Sequence, residues 1–147
     1  TAENNLKIAL VTSDHGSKDA TDEADGAQAY DVTISAIVTD AAGKVVVAKT
    51  DCVQSKLTFN AKGEATYDAK AEVKTKLELG NEYGMSKIGK AEWDAQAAAF
   101  DKALVGKTAA EFAGLADEKG NGTGDLATAG CTISVGDMIA AAEKAAK

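Results

Sequence analysis

Four small residues just ahead of the last helical stretch, Gly130, Cys131, Thr132 and Ser134, have the types and spacing to do chemistry. Amides without bulky neighbours, two hydroxyls and the partial positive charge of a helix N-terminus are what a phosphate or another anion requires. Ser134 is a candidate N-cap, and Asp137 three residues on completes a capping box with Asp in place of Glu. The competing reading is a capped helix that only closes the core. Other reactive groups are sparse. His15 is the single histidine and sits in a polar loop, so a Ser-His-Asp triad or a His-rich zinc set is incomplete. Asp19, Asp22, Glu23 and Asp25 invite a calcium reading, but the acids do not alternate as an EF-hand loop requires, so residues 13–26 read as a solvated acidic loop. The run Gly120-Asn-Gly-Thr-Gly124 fails as a dinucleotide fingerprint, because no strand precedes it and no helix is expected directly after it.

These residues need a scaffold, and composition bounds it. With 147 residues, 45% of them hydrophobic but only 5% aromatic, the chain suits one domain, residues 1–147, whose core is built from small side chains. A net charge of −7 and the complete absence of Arg argue against nucleic acid as a partner and remove the usual bidentate clamp for phosphate. No run reaches the length of a membrane-spanning helix, and no signal peptide opens the chain, so a soluble chain is expected. A start at Thr1 reads as processed or trimmed. Cys52 and Cys131 are too few to define a framework and are read either as free thiols or as one bridge.

Alternation then places the elements. Residues 6–12 form a β-type run. Residues 30–38 alternate cleanly, with Val32, Ile34, Ala36 and Val38 on one face and Thr33 and Ser35 on the other. A short loop ending in Gly43 leads to residues 45–53, which pair antiparallel with the preceding strand. Leu57 and Phe59 suggest another short strand, with residues 65–67 as its return. Helical features take over after Ala69. Thr75 and Glu78 are spaced as a capping box, Trp93, Ala97, Phe100 and Leu104 share a helical face within 91–105, and Thr108 and Glu111 form a second box. Val135, Met138, Ile139, Ala142 and Ala146 mark the final helix over 135–146. Strands first and helices last predict an α+β fold, an antiparallel sheet whose apolar face is packed by the C-terminal helices.

Several short motifs, weak singly, occur in a telling order. They are the hairpin between Asp31 and Cys52, Glu78-Leu-Gly-Asn-Glu-Tyr-Gly-Met85, Glu92-Trp93, Val105-Gly-Lys-Thr108 and Thr128-Ala-Gly-Cys-Thr-Ile-Ser-Val135. In this order they resemble the FMN-binding domain family, which includes flavin-carrying subunits of sodium-pumping quinone reductases and, nearer in pattern, clostridial and other Gram-positive lipoproteins. The resemblance covers most of the chain. It implies a flavoprotein fold with FMN as cofactor, held by Gly130, Cys131, Thr132 and Ser134, with Gly80, Tyr83, Gly84 and Met85 near the isoalloxazine, which Tyr83, Met85 or Trp93 would shield. Some members attach the flavin covalently at a Thr or Ser. Here Asp125 and Thr128 match the first and fourth positions of that motif, Ala129 and Gly130 stand where Gly and Ala are expected, and the acceptor falls on Cys131, or on Thr132 with one residue inserted. The resemblance also brings Cys52 and Cys131 together, within the roughly 4.4–6.8 Å between Cα atoms that a disulfide needs.

Two functions follow. The first is an extracytoplasmic, membrane-anchored lipoprotein domain carrying FMN for electron transfer, its redox chemistry supplied by the cofactor. The second is a non-enzymatic cell-surface domain that binds a small ligand or a protein without flavin.

Overall fold

A computed structural model describes residues 4–88 and 90–147. Three strands, β1 (Asn5–Ser13), β2 (Gly26–Thr39) and β3 (Val45–Phe59), form an antiparallel meander in the order β1-β2-β3. The expected hairpin is present: Val32 pairs with Val53 and Ile37 with Ala48, and a bulge at Val38/Thr39 shifts the register beside the turn. That turn is fixed by Asp40, whose carboxylate accepts from the amides of Ala42 and Lys44, and by Gly43 in a left-handed conformation. The strand expected separately around Leu57 is the continuation of β3, and the return at 65–67 shrinks to one isolated bridge between Phe59 and Ala65.

The helices follow as α1 (Lys76–Leu79), α2 (Trp93–Leu104), α3 (Gly124–Thr128) and α4 (Gly136–Ala146). Thr75 and Glu78 close their capping box reciprocally. Thr108 and Glu111 also bond, but the segment that they open, Ala109–Leu115, winds as a 3₁₀ helix. α3 starts at Gly124, directly after the glycine-spaced loop, contrary to the expectation that no helix begins there. The dinucleotide reading still lacks its strand, because only isolated bridges precede that turn.

α4 lies on β1 and β2, and α2 lies on β3. The sequence pattern pointed to the apolar face as the covered one, and the structure reverses this. The helices cover Thr33, Ser35, Ile37, Ala48, Thr50 and Cys52, all buried, and Ala29 is buried beside Gly16 and Ser17, whereas Leu6, Ile8, Leu10, Tyr30, Ile34 and Val47 face outward. Volume explains the choice. The helices bring the bulk, with Trp93, Phe100, Leu104, Met138 and Ile139 all buried, so the sheet beneath them must supply small residues to reach native packing density. The polarity that comes with Ser and Thr is absorbed locally: the hydroxyls of Ser35 and Thr50 lie 3.5 Å apart, and the Thr50 amide donates to Asp101 on α2 at 3.1 Å.

Candidate functional site

A cleft of about 350 Å³ opens between the sheet, α1 and the start of α4. This volume lies within the usual range for small-molecule sites. Its floor comes from the inner sheet face, where Asp31 and Thr33 of β2 stand beside Cys52 of β3. One wall is Trp93 with Lys76. The other is Lys119, Gly120 and Ser134, leading into Gly136, Asp137 and Met138 at the first turn of α4, while His15 stands at the rim.

Lys119 is delivered by a tight turn. The Asp117 carboxylate accepts from the amides of Lys119 and Asn121, both at 2.9 Å, and the Asn121 bond leads in holding that carboxyl below its ordinary value. Gly120 adopts φ +79°, which favours glycine, and its carbonyl accepts the Val135 amide at 2.8 Å. This bond and the bridge between Asn121 and Ser134 tie the turn to the entrance of α4. They also overturn the expected cap. The N-cap is Val135, the helix begins at Gly136, and no side chain caps it, because Ser134 is engaged in the bridge one residue too early. Gly136, Asp137 and Met138 of this first turn, which no side chain caps, line the cleft together with Lys119.

The opposite wall is an aromatic pair with a cation between its members. The Lys76 ammonium lies 4.9 Å from the Tyr83 ring centroid and 5.3 Å from that of Trp93. The Tyr83 hydroxyl donates to Gln54 at 3.0 Å, and Gln54 donates in turn to Asp31 at 3.0 Å, so a polar chain runs from the aromatic wall to the floor. Burial pushes the Cys52 thiol above its ordinary value, which keeps it a neutral group here.

Of the eight residues expected at a cofactor site, Ser134 alone lines this cleft. Tyr83 reaches it through Lys76 and Gln54. Met85 is half-buried, with its amide held by Glu92, and Gly80 and Gly84 terminate the turns on either side of Tyr83 with positive φ. Gly130 is exposed at the end of α3 with φ +99°. Thr132 is exposed, and its amide donates to Gln96. Cys131 is fully buried in the core, where burial raises its thiol. Cys52 and Cys131 are both free, so the disulfide is not formed. Of the attachment motif, Asp125 and Ala129 line a separate groove with Ala99, Lys102, Val105 and Lys107, and the Thr128 hydroxyl is turned onto the Gly124 carbonyl. Sequence reasoning passed over Lys76, Lys119 and Asp31 as site residues and set His15 aside as part of a polar loop. A lysine just after a helix cap and another just before a glycine turn were the available signals.

The cleft sets Lys119 and the first-turn residues of α4 on one wall against Lys76, which lies over the rings of Trp93 and Tyr83, on the other, while Asp31 and Asp137 limit the negative charge it accepts. Among the described residues no group of three or more His, Cys, Asp or Glu is placed to hold a metal, and no helix is long and apolar enough to cross a membrane. No protein-family model, curated protein or solved structure matches the chain.

Proposed function

We propose that this α+β domain binds FMN non-covalently in the cleft between α1 and α4 and serves as an electron carrier at the outer side of a membrane, anchored as a lipoprotein. The observation that carries the reading is the convergence of Lys119, Lys76 and the uncapped first turn of α4 on one cleft walled by Trp93. When bound, FMN supplies one- and two-electron transfer chemistry. The chain's contribution is placement. Lys119 and the amides of Gly136 to Met138 take the phosphate, with the helix dipole adding to their charge. Lys76, over the rings of Tyr83 and Trp93, would supply a positive charge on the opposite wall. The chain from Tyr83 through Gln54 to Asp31 holds the floor polar and ordered.

Paired titrations with FMN and riboflavin, followed by quenching of flavin fluorescence, test this reading. FMN should bind at least tenfold more tightly than riboflavin, and Lys119→Ala should weaken FMN by about five- to tenfold, the scale of one charge-assisted contact of roughly 1 kcal/mol or more. Equal binding of the two flavins, or none to the wild type, contradicts it. The second outcome favours the alternative of a surface domain without flavin.

A further inference from the structure

The outer face of the sheet is more aliphatic than the face under the helices. Along the pairing register its rungs read Leu6–Val38–Val47, Ile8–Ala36–Lys49, Leu10–Ile34–Asp51 and Thr12–Val32–Val53, with Tyr30 beyond them. Leu6 is 66% exposed, Ile8 64% and Val47 53%, while α1 meets β3 along its edge, where the Leu77 amide donates to Asp51. Three strands about 4.8 Å apart, with roughly nine residues each at 3.3 Å, give about 400 Å² in projection, before the relief of the side chains is counted. A patch of this extent matches the largest apolar patch of a typical monomer, which is often functional.

We infer that this face binds a second copy of the chain, the two sheets stacking face to face about a two-fold axis. The charges select this occupant. Among the described residues, these four rungs carry Lys49 and Asp51 as their charged side chains, on adjacent rungs of β3, so they are close to neutral on a chain of net charge −7. A dyad lying in the interface and crossing the strands between those rungs sets each Lys49 over Asp51 of the other copy. The same axis sets Ile8 over Leu10, Ala36 over Ile34, and the Leu6–Val38–Val47 rung over Thr12–Val32–Val53. Ala36 thereby meets Ile34 and Thr12 meets Leu6, and every contact occurs twice, as an isologous interface requires. The Asp51 carboxylate accepts from the amides of Cys52 at 2.7 Å and Leu77 at 3.2 Å, both on one oxygen. Sheets stacked in this way lie about 10 Å apart with strands near 30°. The footprint falls short of the ~800 Å² per partner of a standard stable interface, so the pair exchanges with monomer.

Sedimentation velocity across roughly 5 to 500 μM, a range that brackets weak association, tests the proposal. The weight-average mass should climb from 14.9 kDa toward twice that value. Ile34→Lys should remain monomeric throughout with an unchanged circular dichroism spectrum. Lys49→Glu, which sets Glu over Asp51, should raise the dissociation constant at least tenfold. A wild type that is monomeric over the whole range overturns the proposal, as does a dimer that Ile34→Lys leaves intact, which would place the contact at another surface such as the free edge of β1.

Discussion

The two faces of the sheet divide the usual roles unevenly. The inner face, built from Ala29, Thr33, Ser35, Ile37, Ala48, Thr50 and Cys52, mixes mostly small polar and apolar side chains and is buried, while the outer face, built from Leu6, Ile8, Leu10, Ile34 and Val47, is aliphatic and open. Burial here follows the shape of the covering helices rather than the hydrophobicity of the strand. Bulky side chains on α2 and α4 leave room only for small ones beneath, and Ser and Thr are acceptable there once their hydroxyls find partners. The inner face can consequently also floor a polar cleft, which a surface of Leu and Ile could not.

The largest expected effect comes from removing the bulk that faces the small-residue side. Phe100 is fully buried, and Phe100→Ala should cost about 3–5 kcal/mol in urea unfolding, whereas Leu6→Ala on the open face should change stability by less than about 0.5 kcal/mol at micromolar concentration. A comparable loss at Leu6 would break the contrast between the faces. Next is Gly122, where an added Cβ would collide with the Cys131 carbonyl in the loop that leads into α4. Gly122→Ala should cost about 1–3 kcal/mol and lower the melting temperature.

Asp101 sharpens the comparison through pH. Its carboxylate is buried, with one oxygen on the Thr50 amide and the other unpartnered, and burial raises it above the ordinary Asp value. A raised acid favours its neutral form in the fold, so its contribution is greatest below the unfolded value near ~3.9 and declines as pH rises through the folded one. Asp101→Asn keeps an acceptor for Thr50 without the charge and should remove that decline, and Asp101→Ala, which orphans the amide, should cost about 1–3 kcal/mol. Urea midpoints between pH 4 and 8 give the check: a wild type whose stability rises over this span through Asp101 would contradict the assignment. Asp117 and Glu111 act with the opposite sign, since backbone donors from Asn121 and Thr108 lower them and their stabilisation fades as pH falls.

Much of the scaffold was legible because it rests on local pattern. Alternation at 30–38 and 45–53 with Gly43 between them specified the hairpin, and the spacing of Trp93, Ala97, Phe100 and Leu104 specified α2. The side of the sheet that is covered was not legible, since Val32 and Ile34 against Thr33 and Ser35 gives a period without saying what lies above it. Ser134 had every local attribute of a cap. A tertiary bond from Val135 to the Gly120 carbonyl moved the helix start past it, and no local pattern contains that bond. The cleft was hidden for the same reason, as His15, Asp31, Cys52, Lys76, Trp93, Lys119 and Ser134 come from separate segments.

The most direct test is an amide-resolved NMR titration of the labelled protein with FMN. The largest shifts should fall on Gly120, Ser134, Gly136, Asp137, Met138 and the Trp93 indole, with Ile8 and Val47 on the open face unmoved. Shifts centred instead on the groove of Ala99, Lys102, Asp125 and Ala129, or none up to about 1 mM flavin, the limit of weak binding, would contradict a flavin site on the covered face.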